Sequence, residues 1–341
     1  MRVATISIRN LYKIFGPASS EAMNRIREGM GKIELQELTG HLLAVKDINL
    51  DIEQNKIQVV MGLSGSGKST LIRLINRLIE PTAGQITIDG ENVLTMNAAE
   101  LREIRRHKIS MVFQSFALFP HRTVIENAGY GLEVQGESRE KIRSSAIRWI
   151  ERVGLSGYED YLPAQLSGGM RQRVGLARAL TTNANILLMD EAFSALDPLI
   201  RTEMQDILLD LQEEFKKTIV FITHDLDEAL RIGDNIAILR DGQIIQTDDP
   251  QNILLKPADK YVADFMKDIN RARILRVGAI MEPLGPVPDG APSIPEHTTL
   301  EEALQAFPNL TANQMIIVNR EGEKTGKLKM EHLVRAMKRP K

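Results

Sequence analysis

The chain has 341 residues, of which 43% are hydrophobic and 26% are charged, and its formal net charge is -2. This composition is typical of a globular protein, and the near-neutral charge argues against a general affinity for nucleic acid. The absence of cysteine excludes disulfides and thiolate metal sites. We expect no signal peptide and no membrane span, because the N-terminus lacks an apolar core and no apolar run approaches about 18 residues.

The first third of the chain contains four predicted strands, a glycine-rich loop and a helix. The strands are predicted at 6–15, 42–52, 56–61 and 85–88, and the helix at 71–79. The polar stretch between the first two strands, residues 16–40, contains two candidate short helices at 21–30 and 33–38. This stretch is therefore an insertion between two strands.

The rest of the chain is first mostly helical, from about residue 126 to 180, and then returns to apolar strands at 186–189 and 218–223. Asp241-Gly242, between two further strands, is a strong hairpin signal. Strands that alternate with helices predict an α/β fold with a largely parallel sheet. Prolines become frequent after Asn270, so we predict a domain of residues 1–270 and a second of residues 271–341.

A phosphate-binding loop is predicted at residues 62–69, which match G-x-x-x-x-G-K-[ST]. Its glycines allow the backbone to wrap closely around phosphates, and the helix that follows presents its positive end. Lys68 is expected to reach the β- and γ-phosphates of a nucleotide, and Ser69 to bind Mg²⁺. The alternative is a glycine- and serine-rich turn without a ligand. The predicted nucleotide contacts of the loop are Gly62, Ser64, Gly65, Gly67, Lys68, Ser69 and Thr70.

Two carboxylates end the apolar strand at 186–189. Asp190 is predicted to hold Mg²⁺ through water, and Glu191 to act as the general base on the attacking water. Taken alone, such a pair is often only a solvated strand end. The phosphate loop upstream favours the catalytic interpretation, with a nucleotide and Mg²⁺ in the site; these two motifs are shared with small-molecule kinases and GTPases, and ATP as the nucleotide is implied by the family resemblance described next.

Residues 166–173, Leu-Ser-Gly-Gly-Met-Arg-Gln-Arg, resemble the LSGGQ signature of the ATP-binding cassette family. Ser167 is placed as a helix N-cap, and Gly168 and Gly169 expose backbone N–H groups. Met170 stands where the family usually has glutamine. In that family the signature faces the γ-phosphate held by another subunit, so the resemblance implies that the active unit contains a second copy of the chain.

Other residues match further elements of the same family. Gln114 resembles the glutamine that approaches Mg²⁺ and the attacking water, Asp197 ends a loop that crosses the dimer seam, and His224 resembles the switch histidine. Phe15 is the best match for the aromatic platform under adenine, with Tyr12 as the alternative. The resemblance covers residues 3–250 and implies a P-loop NTPase fold with a RecA-like core, an antiparallel β subdomain and a helical subdomain at about 126–180.

Within this family the chain resembles the ATPase subunits of bacterial importers of glycine betaine, proline and related osmolytes. The insertion at 16–43, the stretch 39–47 and the methionine in the signature carry this resemblance. It implies transmembrane permease subunits as partners, an indirect solute-binding protein, and a peripheral location on the cytoplasmic face of the bacterial inner membrane. Phe116, Leu118 and Phe119 are candidates to receive a short permease helix, or else to lie in the local core.

Two alternative functions are a cassette ATPase acting on nucleic acid or ribosomes, and a small-molecule kinase or GTPase. Proteins of the first class usually carry two cassettes in one chain or a long coiled-coil insertion, and this sequence shows neither. The second lacks the signature, and the chain has no N-K-x-D guanine motif. We therefore expect no nucleic-acid partner.

The C-terminal segment resembles a single CBS motif. Residues 277–283 resemble its start, Thr298 is a predicted N-cap with Glu301 at capping-box spacing, and strands are predicted at 315–318 and 326–328 before a helix at 331–337. Lys329 and His332 stand where sensor motifs carry Thr and Asp, which favours dimerisation over nucleotide sensing. The basic residues at 338–341 could touch anionic lipid, although such tails are usually solvated.

Overall fold

The computed structural model describes residues 4–194, 196–285, 291–307 and 314–338. The chain divides into two compact units, Met1–Ile245 and Gln246–Lys341. Hydrogen bonds from Gln251 Nε2 to Ile274 O and from Arg276 N to Gln251 Oε1 tie the helices after residue 246 to the second unit. This division precedes the boundary near Asn270, which stays a prediction.

An antiparallel sheet opens the first unit, with the strand order β2-β1-β4-β5. Its inward side chains alternate with exposed ones, the period expected for a sheet that buries one face. Its strands are β1 (Ala4–Phe15), β2 (Leu42–Glu53), β4 (Ala83–Ile88) and β5 (Glu91–Asn92).

The insertion between β1 and β2 forms two short helices, α1 (Ser19–Arg27) and α2 (Lys32–Thr39). Both candidate helices of the sequence are thus present. Their apolar side chains form a small core of their own against the ends of β1 and β2. The buried members of this cluster are Ile14, Ala22, Met23, Ile26, Leu35 and Leu43.

A six-stranded sheet forms the centre of the first unit, in the order β10-β9-β3-β8-β7-β6. The pairs β3–β8, β3–β9, β6–β7 and β7–β8 are parallel, and β3, β7 and β8 are buried along their whole length. The strands are β3 (Ile57–Met61), β6 (Ile109–Val112), β7 (Ile186–Asp190), β8 (Thr218–Thr223), β9 (Asn235–Arg240) and β10 (Gln243–Asp248).

Helices cover this sheet and build the helical region. The starts of α4 and α5 carry capping boxes, formed by Asn97 with Glu100 and by Thr123 with Glu126. The helices are α3 (Lys68–Ile75), α4 (Ala98–His107), α5 (Val124–Gln135), α6 (Arg139–Arg152), α7 (Gly168–Thr181), α8 (Pro198–Phe215) and α9 (Leu226–Ile232).

The second unit begins with three short helices, α10 (Pro250–Leu255), α11 (Lys260–Phe265) and α12 (Arg271–Ile274). A small sheet follows, in the order β11-β14-β13-β12, flanked by two helices. These elements are β11 (Glu282–Pro283), β12 (Ser293–Pro295), α13 (Leu300–Ala306), β13 (Gln314–Val318), β14 (Lys324–Lys329) and α14 (Met330–Met337).

One detail of this unit corrects the sequence prediction. The N-cap of α13 is Thr299, whose side chain accepts from Glu302 N, and its capping-box partner is Glu302, each one residue later than predicted. Thr298 belongs to the preceding turn, in which its N donates to Pro295 O. The resemblance to a CBS motif stays a prediction, and the last three tail residues, 339–341, lie outside the described residues. No helix within the described ranges is long and apolar enough to cross a membrane.

Candidate active site

The loop between β3 and α3 depends on two glycines for its shape. A Cβ at Gly62 would lie 2.2 Å from Leu239 O, and one at Gly67 would lie 2.4 Å from Ala44 O. Gly67 also has a φ of 104°, which disfavours residues with a side chain. The close approach of the neighbouring strands therefore requires glycine at both positions of this tight loop. The loop leads directly into the N-terminus of α3, where backbone N–H groups favour anions.

Lys68 is 4% exposed and its ammonium group lies inside this loop. Nζ donates to Gly62 O at 2.8 Å and Leu63 O at 3.0 Å, and lies 4.0 Å from Glu191 Oε1. Burial lowers the pKa of Lys68, while the carboxylates of Glu191 and Asp190 oppose that shift. Two hydrogen bonds to backbone oxygens thus hold the lysine at the loop.

Asp190, at the end of β7, is completely buried. Its Oδ2 accepts a hydrogen bond from Arg73 at 3.2 Å, whereas Oδ1 has no hydrogen-bond partner among the described residues. An unpaired buried carboxylate oxygen is costly unless a cation or its water compensates it. This orphan oxygen, together with the hydroxyl of Ser69 and the amide of Gln114, fits the hard oxygen ligands that Mg²⁺ requires.

The carboxylate of Glu191 lies near three other predicted residues, namely Lys68, Gln114 and His224. Its Oε2 accepts a hydrogen bond from Gln114 Nε2 at 3.0 Å and lies 3.4 Å from His224 Nδ1. Its backbone has a φ of 46°, unusual for a residue with a side chain, and its N–H donates to Ile222 O at 3.1 Å. The strand pairing therefore holds this carboxylate in a conformation that aims it at the cleft.

A cleft of about 370 Å³ collects most of the predicted nucleotide contacts. Phe15 and Leu42 lie on its wall, and Phe15 is 37% exposed. Tyr12 instead packs against the insertion cluster, where burial raises its pKa. Of the two candidate adenine platforms, Phe15 is the one that faces the cleft. The other predicted residues on the wall are Ser64, Gly65, Gly67, Lys68, Ser69, Thr70, Gln114 and Glu191.

The signature residues lie elsewhere, around a second concavity. Ser167 is the N-cap of α7 and accepts from Met170 N at 3.2 Å, and Asp197 is the N-cap of α8. Both side chains line this concavity with Gly168 and Gly169, and none of the residues that line it lines the cleft. One chain thus presents the phosphate loop and the signature on two separate surfaces.

Sequence reasoning missed Arg201, which joins the loop that contains Asp197 to the loop that contains His224. Its NH1 donates to Asp225 Oδ2 at 3.0 Å and its NH2 to Leu196 O at 3.1 Å. Since arginines are common on helices, no motif singled it out. Lys32, on the wall of the cleft, was also missed, because it belongs to none of the nucleotide-binding motifs.

An apolar groove of about 520 Å³ lies beside the helical region. Of the three candidate residues for a permease contact, only Phe119 lines it. Phe116 and Leu118 are half-buried, and Arg171 lies over the ring of Phe116 at 5.3 Å. The apolar lining of the groove is Leu78, Ile109, Met111, Phe113, Ala117, Phe119, Tyr130, Val134 and Ala179.

Comparisons with known proteins agree with this geometry. Residues 45–194 match the family described as ABC transporter. The chain is 53% identical over 279 residues to the glycine betaine/carnitine transport ATP-binding protein GbuA of Listeria monocytogenes, covering 82% of this chain and 70% of that protein. It is 44% identical over 323 residues to the trimethylamine N-oxide transport system ATP-binding protein TmoW of Ruegeria pomeroyi, covering 95% and 94%.

Among solved structures, the chain is similar to a bacterial ABC transporter cassette determined as a dimer. The TM-score is 0.63 at 33% identity, covering 72% of this chain and 98% of the cassette. ATPase cassettes of this kind dimerise and work with transmembrane permease components. The chain belongs to the ABC transporter family, as one of its ATPases that use ATP and Mg²⁺ to drive transport.

Proposed function

We propose that this chain powers an importer of glycine betaine or a related osmolyte by hydrolysing ATP between two copies of itself. The observation that carries the ATPase mechanism is the convergence of Gln114, His224 and Lys68 on the carboxylate of Glu191 beside the phosphate loop. The solute class rests on the relatives, whose names specify glycine betaine, carnitine and trimethylamine N-oxide. These solutes all carry a fully substituted, methylated nitrogen.

In this mechanism the phosphate loop and Lys68 position the triphosphate, and Phe15 stacks on adenine. Ser69, Gln114 and Asp190 would hold Mg²⁺, which would neutralise phosphate charge. Glu191 accepts the proton of the attacking water, which adds to the γ-phosphorus as the bond to ADP breaks.

The two oxygens of Glu191 have different surroundings. Oε2 already accepts a hydrogen bond from the amide of Gln114 and lies near His224, while the charged neighbour of Oε1 among the described residues is Lys68, at 4.0 Å. Oε1 is thus the oxygen available to the water proton. Gln114 and His224 orient the carboxylate, and His224, which is 54% exposed, is free to contact the γ-phosphate.

Two copies of the chain complete each site. The signature helix α7 presents Ser167, Gly168 and Gly169 at its N-terminus, a geometry suited to phosphate oxygens. Because these residues lie apart from the cleft of their own chain, they serve the nucleotide of the other copy, with Asp197 at the seam. ATP-driven closure of the pair then moves the attached permease.

The apolar groove around Phe119 is proposed as the permease contact. Its aromatic and aliphatic lining, with Arg102 and Arg106 at its side, suits a short amphipathic helix. A solute-binding protein would act on the permease from the opposite side of the membrane. We place the chain at the cytoplasmic face of the bacterial inner membrane as a peripheral subunit.

The region after the ATPase domain, 271–341, is proposed as a CBS-like dimerisation element. His332 Nε2 and Lys329 Nζ both lie near the carboxylate of Glu282, at 3.4 and 3.5 Å. These internal ion pairs occupy the positions where sensor motifs bind ligands. They support a dimerisation role over a nucleotide-sensing one.

Replacing Lys68 with Ala should strongly weaken ATP binding, because the loop loses the buried cation that meets the β- and γ-phosphates. We expect the affinity for Mg-ATP to fall by about 10- to 150-fold, which corresponds to the roughly 1.5–3 kcal/mol typical of one charge-assisted hydrogen bond. Isothermal titration calorimetry measures this, with the exposed Lys267→Ala as control. Unchanged affinity would remove the phosphate-loop assignment.

Glu191→Gln should bind ATP and form the closed dimer, yet hydrolyse it at least about 100-fold more slowly, because an amide cannot accept the water proton. Phosphate release and size-exclusion chromatography with ATP measure the two properties. Glu213→Gln, on the exposed face of α8, is the matched control. Substantial steady-state hydrolysis by Glu191→Gln would mean that another group is the base.

Arg201→Met should lower kcat by roughly tenfold and leave ATP affinity within about twofold, since one charge-assisted bond to each loop is lost. Arg201 is a positioning residue, so Arg201→Lys should recover only part of kcat. Steady-state kinetics separates the effects, and Arg143→Met, an exposed arginine on α6, controls for lost charge. A fall in ATP affinity as large as that in kcat would contradict this role.

The osmolyte class is tested in the complex reconstituted with its permease and solute-binding partners. Glycine betaine should stimulate ATP hydrolysis in a saturable manner, whereas glycine, which lacks the methyl groups, should not. A titration at several salt concentrations shows whether ionic strength also acts. Activity indifferent to betaine would leave the ATPase assignment intact and remove the solute class.

A further inference from the structure

The insertion 16–41 has no role in the mechanism described so far, yet it is firmly built. Its two helices bury Met23, Ile26 and Leu35 against Ile14 and Leu43, at the ends of β1 and β2. A small closed core of this kind fixes helices in position. Any side chain of the insertion that lines the cleft is therefore held in a defined position.

The insertion contributes Lys32, the first residue of α2, to the wall of the cleft. Its side chain is half-buried at 28% exposure and lines the cleft with Phe15 and Leu42. Among the described residues on the wall of the cleft, the charged side chains are Lys32, Lys68 and Glu191. Lys32 is thus the second cation of a site whose ligand carries several negative charges.

The ammonium group of Lys32 is not engaged in a strong internal contact. Its charged neighbour in the described part of the chain is Asp241, at 3.7 Å, which is beyond hydrogen-bond distance. Asp241 is 69% exposed and also lies 3.6 Å from Arg240 Nε. The three donors of the lysine therefore remain available for an acceptor in the cleft.

The contact with Asp241 places Lys32 beside the turn that adjoins the phosphate loop. Asp241 belongs to the β9–β10 turn, where Gly242 N donates to Ser66 O at 3.0 Å and Gly242 O accepts from Lys46 N at 2.8 Å. The turn is thus bonded directly to the phosphate loop. Lys32 thus lines the same cleft as the phosphate loop, beside a turn that is hydrogen-bonded to that loop.

We propose that Lys32 is a nucleotide-binding residue whose ammonium group contacts phosphate oxygens of the nucleotide in the cleft. This inference rests on the proposed function, namely that the cleft binds ATP. It gives the insertion a role as an additional wall of the nucleotide site, supplied from outside the phosphate loop.

The test compares Lys32→Met, which keeps the apolar stem and removes the charge, with the unaltered full-length chain. Calorimetric titrations use Mg-ATP, Mg-ADP and inorganic tripolyphosphate with Mg²⁺. We expect all three to bind Lys32→Met roughly three- to tenfold more weakly, and the difference to shrink as salt is added. Lys32→Arg should retain most of the affinity, and the exposed Arg25→Met in α1 should behave as the unaltered chain.

Asp241→Asn separates this role from a structural one. If Lys32 only pinned the insertion to the hairpin, Asp241→Asn would weaken nucleotide binding as much as Lys32→Met. We expect it instead to keep or raise the affinity, because it frees the ammonium group. Equal losses in the two variants would overturn the proposal, as would unchanged affinity in Lys32→Met or a loss confined to the two nucleotides with tripolyphosphate unaffected.

Lys68→Ala in the same titrations distinguishes a failure of the proposed nucleotide site from a failure of the role of Lys32. If Lys68→Ala binds Mg-ATP normally, the proposed site itself is wrong. If Lys68→Ala loses binding and Lys32→Met does not, only the role of Lys32 fails.

Discussion

The site depends on one constraint, the parallel register of four adjacent strands in the central sheet. Met61 pairs with Thr223, Asp190 with Ile222, and Val112 with Met189, so β3, β8, β7 and β6 all end at the same edge. Parallel strands place their following loops together at the carboxyl edge of the sheet. Lys68 and His224, which are 156 positions apart in sequence, thus both lie beside the carboxylate of Glu191, at 4.0 and 3.4 Å.

This constraint also explains the strain at Glu191. The residue directly follows the last residue of β7, and its N–H still bonds to Ile222 of β8, so the chain must turn while it is tied to the sheet. A φ of 46° is the result. Ser194, whose hydroxyl donates to Glu191 O at 2.9 Å, closes the turn from the other side. The unfavourable backbone conformation of Glu191 thus fixes the direction of its carboxylate.

Much of this arrangement could be predicted from the sequence, because the motifs are local and each marks a strand end. The phosphate loop, Asp190, Glu191, Gln114 and His224 are all of this type. The cap of α13 was misplaced by one residue, since Thr298 and Thr299 offer the same side chain and only the preceding turn decides between them.

Residues that act through tertiary contacts left no comparable pattern. Arg201 bonds to Asp225 and Leu196, and Asn127 accepts from Phe119 N at 2.8 Å while its amide donates to backbone oxygens of the same loop. The side of Lys32 that faces the cleft follows from how the insertion core packs. Such contacts join segments that sequence periodicity treats as independent.

The cleft and the signature concavity share no lining residue, although both lie in the same folded unit. In the proposed mechanism, Ser167 therefore serves the cleft of another copy, and the two surfaces are matched between chains. In this arrangement Arg201 would link the dimer seam to the catalytic site. It bonds the loop at the proposed seam, through Leu196 O, to the loop that carries His224, through Asp225. In the proposed mechanism, closure of the pair would thus be transmitted to His224, which lies 3.4 Å from the carboxylate of Glu191, and hydrolysis would depend on assembly.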